Sequence, residues 1–172
     1  FLGSNTAKRF IEQGYKVVPI ERWYLYDYDA LAQLFKKEKP DIIIHYAAFG
    51  NQGKTGNQTD PTEIVASNIG CTFNMLSASI TVPYKAFINI GSSSEYGEKQ
   101  EAMSEYDLPE TDTFYGATKV GATYLARAFA KEYDKPIVNI RPFSVYGEGE
   151  ADFRFIPTVI RSILKGKQFN LE

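Results

Sequence analysis

The chain has 172 residues, 44% hydrophobic and 23% charged, the composition of an ordinary globular domain with room for one core. A formal net charge of -2, with Lys and Arg scattered among acids, leaves no basic stripe to follow a nucleic-acid backbone, and no apolar run approaches the ~20 residues of a membrane span. A single Cys and a single His exclude an intrachain disulfide and a Cys/His zinc site, and the first residues lack the basic and apolar regions of a secretory signal, so the chain is expected to be cytoplasmic.

In chain order, Leu2, Ala7, Phe10 and Ile11 predict one face of a first helix that Gly14 can end, and YKVVPI (15–20) reads as a strand. Leu31, Leu34 and Phe35 line a second helix closed by Lys39-Pro40, with the apolar strand DIIIHYAA (41–48) after it. A polar, Gly-rich loop (50–61) leads into a helix over about 61–80 carrying Ile64, Val65, Asn68, Ile69, Met75 and Leu76. Cys71 on that helix is expected to be a small buried side chain. The strand KAFINIG (85–91), a loop with Pro109, a long helix over 114–133, the strand PIVNIR (136–141) and an amphipathic helix within 153–167 complete the order. Short apolar strands alternating with helices predict an α/β fold, a doubly wound parallel sheet of Rossmann type with both faces covered. Ligands of such sheets sit beyond the carboxyl ends of the strands. Glu21-Arg22, Ala47-Ala48, Gly91 to Ser94 and Pro142 to Ser144 occupy those ends.

FYGATK (114–119) opens the long helix and puts Tyr115 and Lys119 one turn apart on one face. A phenol with a pKa of about 10 is too weak an acid for neutral pH, and a nearby ammonium lowers that value. The two together make a tunable proton donor and acceptor. Taken alone, the pair is equally a surface Tyr and Lys. GSSSEYG (91–97), however, follows a buried-looking strand and offers serine hydroxyls at the same edge of the sheet.

HYAA (45–48), SNIGCTFNML (67–76), INIGSSSEYG (88–97), FYGATK and RPFSVYGEG (141–149), in that order, resemble the motifs of the extended short-chain dehydrogenase/reductases that act on nucleotide-linked sugars. The resemblance runs over essentially the whole chain. It implies Tyr115 as the acid–base residue at a sugar hydroxyl, Ser92 sharing its hydrogen bond with Ser93 as the alternative, and Lys119 tuning Tyr115 and holding the nicotinamide ribose. Ser92, Ser93, Ser94, Tyr115 and Ser144 would face the substrate. Asn68 would support the site from beneath, His45 would be structural, and Ala47, Ala48, Pro142 and Tyr115 itself would contact the cofactor. FLGS resembles the end of the family's glycine-rich phosphate loop, with Gly3 as its third glycine. Glu21 is placed to bind the adenosine ribose, which favours NAD, while Arg22 keeps NADP open.

Several positions depart from the family pattern. ERWYLYDYDAL runs from strand to helix without the usual adenine-contacting Asp, so Asp27 is expected to cap the helix. Ser144 stands where an Asn is common. Ser94 stands where the 4,6-dehydratases carry an acid, with Glu95 next to it. The resemblance implies a chain truncated at both ends, with residues 1–150 as the NAD(P)-binding domain and 151–172 as the start of the substrate-binding region. The expected function is that of an NAD(P)-dependent nucleotide-sugar epimerase. The alternatives are a keto-sugar reductase, a 4,6-dehydratase, or a non-catalytic cofactor-binding fragment. A homodimer through the helices at 61–80 and 114–133 is implied by resemblance.

Overall fold

The computed structural model describes residues 1–50 and 60–168. Most of the Gly-rich loop expected over 50–61 therefore lies outside the described residues. The chain groups into two units, residues 18–143 and residues 1–17 together with those from 144 onward.

In the larger unit, a 3-10 turn (Arg22–Tyr26) leads to helix α2 (Tyr28–Glu38). The Asp27 carboxylate accepts from the Ala30 N–H at 2.9 Å, so this acid is the expected cap. Lys39, at φ 46°, ends α2 in the left-handed region, and Pro40 cannot continue a helix. Strand β1 (Ile42–His45) follows, then a helical run in three parts: α3 (Pro61–Val65), a π turn (Ala66–Gly70) and α4 (Cys71–Ser79). Strand β2 (Ala86–Ile90), a 3-10 turn (Ser93–Glu95), helix α5 (Phe114–Glu132) and strand β3 (Ile137–Ile140) complete the unit.

The strands form a parallel sheet in the order β1-β2-β3. Ile43 and Phe87 point into a core shared with Leu31 and Phe35 of α2, Met75 and Leu76 of α4, and Ala126 and Phe129 of α5. Burial alternates along the strands, with Ile42, Val138 and Ile140 exposed. The uninterrupted apolar runs had implied strands buried on both faces. At the carboxyl end the register sets His45 beside Asn89 and Asn89 beside Asn139, and the Asn89 amide donates to Asn139 Oδ1 at 2.8 Å.

Residues 15–20, expected as a strand, are not in the sheet, and Tyr15 and Val18 are exposed. A strand is defined by its ladder partner, and among the described residues this segment has none. In the smaller unit, helix α1 (Leu2–Glu12) ends before Gly14, whose φ of 84° suits only glycine well. In helix α6 (Phe155–Leu164), Arg161 of the last turn pairs with Asp152, which precedes the helix. Ile11, expected on the inner face of α1, is exposed.

Candidate active site

Because the three strands run parallel, the residues after His45, Ile90 and Ile140 all emerge at one edge of the sheet. The turn after β2 is a capping box. The Ser92 hydroxyl accepts from the Ser94 N–H at 3.1 Å, and the Glu95 carboxylate accepts from the Ser92 N–H at 2.9 Å. The Ser92 hydroxyl donates to Ser94 Oγ at 2.9 Å, so the Ser94 O–H is the one left to donate elsewhere. The Ser93 N–H donates to the Pro142 carbonyl at 3.2 Å, which ties the turn to the chain after β3.

Helix α5 begins against this turn. Its N-cap, Thr113, accepts from the Gly116 N–H at 3.0 Å. Gly116 is required there, because a Cβ would strike the Thr111 hydroxyl and come within 2.7 Å of the Ser94 carbonyl. The half-buried Tyr115 immediately precedes that contact. One turn on, Lys119 is buried and its ammonium donates to the Ile90 carbonyl, the last residue of β2, at 2.5 Å. Burial lowers the Lys119 pKa to about 8, against the opposing pull of the Glu95 charge.

Asn68 lies in the π turn and is buried, as expected. Its amide accepts from the Phe49 N–H at 2.7 Å and donates to the Phe49 carbonyl at 2.8 Å and to Thr118 Oγ1 at 2.9 Å, joining the chain after β1 to α5. His45 is structural in this arrangement, with Nε2 3.0 Å from Thr72 Oγ1. The Thr72 hydroxyl donates to the Asn68 carbonyl at 2.6 Å, so the imidazole Nε2–H is the donor to Thr72. Burial, helped by the Lys119 charge, lowers the His45 pKa to about 3.

A cavity of about 220 Å³ is lined by Ala47 and Ala48 together with Ile20, Arg22, Leu25, Tyr26, Ser67 and Cys71. Cys71 is buried as expected, and burial pushes its thiol pKa up. The Arg22 guanidinium is heavily engaged: it donates to Ser67 Oγ at 3.3 Å, stands 3.8 Å from the Glu63 carboxylate and lies over the Phe49 ring at 5.0 Å. The Trp23 indole N–H donates to Glu21 Oε2 at 2.9 Å, leaving the second carboxylate oxygen of this exposed acid for other contacts.

The edge of the sheet thus gathers Ser92, Ser93, Ser94, Lys119 and Pro142, with Arg22, Ala47 and Ala48 lining the cavity and Glu21 between the cavity residues Ile20 and Arg22 in the chain. Gly3, half-buried in the first turn of α1, and Ser144, exposed, belong to the smaller unit. Sequence reasoning missed the pair formed by Glu95 and Arg141, whose Nε is 2.7 Å from Glu95 Oε2. The spacing of Ser92 and Glu95 is a capping-box signature and would have identified the acid as a structural ligand of the turn. Among the described residues no cluster of three or more His, Cys, Asp or Glu side chains is built to hold a metal ion, and no helix is long and apolar enough to cross a membrane.

A model of the NAD dependent epimerase/dehydratase family matches residues 1–171. The chain is similar to a dTDP-D-glucose 4,6-dehydratase of Dictyostelium discoideum, with 25% identity over 83% of this chain and 35% of that protein. It is similar also to a UDP-glucose 4-epimerase of Lacticaseibacillus casei, with 28% identity over 86% of this chain and 49% of that protein. Among solved structures, UDP-glucuronic acid 4-epimerase from Bacillus cereus, in complex with UDP-glucuronic acid and NAD, superposes with a TM-score of 0.71 at 33% identity, over 80% of this chain and 43% of that one. The chain therefore spans half or less of the length of these proteins.

Proposed function

We propose, from the premise that this chain belongs to the NAD dependent epimerase/dehydratase family, that it carries the cofactor-binding and acid–base part of a nucleotide-sugar epimerase. The observation that carries this reading is Lys119, a cation buried at the carboxyl end of β2 and one helical turn after Tyr115. Burying an ammonium is costly, and a lysine held there on a backbone carbonyl is better explained by its field on a neighbouring phenol than by packing. In this reading Tyr115 takes the proton from a sugar hydroxyl, and the O–H that the Ser92–Ser94 pair leaves over steadies the same oxygen. Lys119 stabilises the phenolate, as an opposite charge in a low-dielectric site does.

The residues about the cavity fit the adenosine end of a dinucleotide. Ala47 and Ala48 present a small-residue wall and Tyr26 supplies an aromatic side; Glu21, next in the chain to the cavity residues Ile20 and Arg22, has a carboxylate oxygen for ribose hydroxyls. Arg22 is already held by Ser67, Glu63 and Phe49, which favours NAD over a cofactor with a 2′-phosphate. When bound, the nicotinamide supplies hydride acceptance and return, so an epimerase regenerates it in each turnover. Lys119 and Pro142 are assigned to its ribose side, Gly3 to the phosphates, and Ser93, Ser94 and Ser144 to the sugar nucleotide. Residues 151–172 are assigned to the opening of the substrate-binding region. The protein is placed in the cytoplasm and in a homodimer, for which exposed Phe73 on α4 and Tyr124 on α5 supply apolar surface. A solution mass of one chain would overturn the dimer.

A 4,6-dehydratase is disfavoured because Glu95, the acid nearest the serines, is fully buried and paired with Arg141. Turnover with a panel of UDP- and dTDP-sugars, with NADH fluorescence followed throughout, tests the assignment. Epimerised sugar without net change in NADH is expected. Consumption of NADH with a keto sugar would make the enzyme a reductase, and absence of saturable NADH binding would make this chain a non-catalytic fragment.

A further inference from the structure

Glu95 is a fully buried carboxylate that the mechanism above does not use. Its partners are drawn from three places. Oε1 accepts the Ser92 N–H at 2.9 Å, Oε2 receives the Arg141 Nε at 2.7 Å, and its charge acts on Lys119 of α5. The fold makes specific room for it. Gly91 has no side chain where a Cβ would run into Glu95 Oε1 and lie 3.2 Å from the Ile140 carbonyl. Arg141 is itself braced, donating to the Tyr96 hydroxyl at 3.1 Å and lying over the Tyr96 ring at 4.9 Å. A carboxylate so placed fixes the conformation of the serine turn and supplies a charge that opposes the lowering of the Lys119 pKa by burial.

We propose that Glu95, clamped by Arg141, is a positioning residue for the acid–base site, holding the Ser92 turn by its backbone and keeping a negative charge against Gly91, the residue after the Ile90 carbonyl on which the Lys119 ammonium is held. This rests on the reading of Ser92, Tyr115 and Lys119 as the acid–base set. Two further titratable groups face Lys119. His45, from β1, is neutral at working pH and contributes no charge that varies there, and Tyr115 lies on the same helix. Arg141, behind Glu95, partly cancels the carboxylate's field. Lys119 is the group whose proton is in balance near neutrality, with a pKa of about 8, so a change in Glu95 is felt there first.

The test uses opposite charge removals within one ion pair. Glu95→Gln and Arg141→Met break the same contact, so purely structural damage would shift the site in the same direction in both. The proposal instead requires opposite signs. With ε-13C-lysine labelling and Lys119 assigned by loss of its signal in Lys119→Met, the Lys119 midpoint is expected to fall by about one pH unit in Glu95→Gln, the size of a nearby-charge effect. In Arg141→Met it is expected to rise. Shifts of the same sign, or none in either, would overturn the proposal. If either variant loses the fold by circular dichroism, Glu95→Asp separates the two roles. It keeps the charge but draws the carboxylate back from Ser92, so the midpoint is held while the Ser92 amide exchanges with solvent several-fold faster. An unchanged amide would overturn the clamp. Where turnover is measurable, the alkaline limb of the kcat profile follows the midpoint in each variant. If the wild-type chain turns over no nucleotide sugar, the functional reading fails, while the titration still judges this inference.

Discussion

Among single residues, Lys119 and His45 show most directly what burial does to a charge. In an unfolded chain Lys119 titrates near ~10.4 and in the fold at about 8, so between these values the unfolded state binds more protons and stability rises with pH. The buried ammonium is thus held at a cost below pH 8. His45 follows the same sign at lower pH. Its folded pKa of about 3 lies below the ~6.5 of a free imidazole, so its contribution is present above ~6.5 and is lost as the pH falls toward 3. Urea unfolding is expected to show a loss of about 2 kcal/mol from this group between pH 7 and pH 5. In His45→Gln that part of the pH dependence should vanish; an unchanged slope would assign the proton to another group. Tyr115→Phe removes the hydroxyl alone and should lower kcat by roughly 10²- to 10⁴-fold with NADH binding unchanged, as expected for a general acid–base. A parallel loss of NADH binding would make its contact with the cofactor, rather than proton transfer, the main role of the Tyr115 hydroxyl.

Elements set these residues in place through their ends and irregularities. The N-cap of α5 is ordinary, and Thr113→Ala should cost about 1 kcal/mol with little effect on chemistry. Gly116 is not ordinary, since any side chain there meets Thr111 and the Ser94 carbonyl. Gly116→Ala is expected to cost about 1–3 kcal/mol, as overpacking does, and to lower kcat by displacing the first turn of α5 from the serine turn. A variant that is destabilised but turns over at the wild-type rate would show that this seam does not set the geometry of Tyr115. The π turn has a comparable role. Widening the helix at Ala66–Gly70 is the local irregularity within which Asn68 reaches both Phe49 and α5. Asn68→Ala leaves the Phe49 backbone groups without their partner, a loss of about 1–3 kcal/mol for unsatisfied buried groups, to be read as a fall in the urea midpoint.

Over the whole molecule, what the sequence reveals follows from how local each feature is. The order of helices and strands from α2 onward, the Asp27 cap, the end of α2 at Lys39-Pro40 and the serine turn after β2 are written in short windows, and each is found in the structure. The segment at 15–20 has strand composition but lies outside the sheet, because composition does not supply a ladder partner. The pairing of Glu95 with Arg141, the capture of Glu21 by Trp23 and the triple engagement of Arg22 join side chains whose meeting depends on the tertiary path or on a turn's detailed shape. No periodicity encodes them. The parallel sheet carries a last consequence, for the order of events during synthesis. Every rung joins residues from opposite ends of a helix-bearing crossover, Ile42 with Ala86 and Phe87 with Ile137, so no hairpin can form early and hold the chain. The central strand β2 completes both ladders only after β3 has left the ribosome. The core helices must therefore wait, partly unpacked, for nearly the whole of residues 18–143. Such nonlocal closure is slow, and a chaperone-dependent yield on expression, improved at low temperature, is the expected behaviour of this topology.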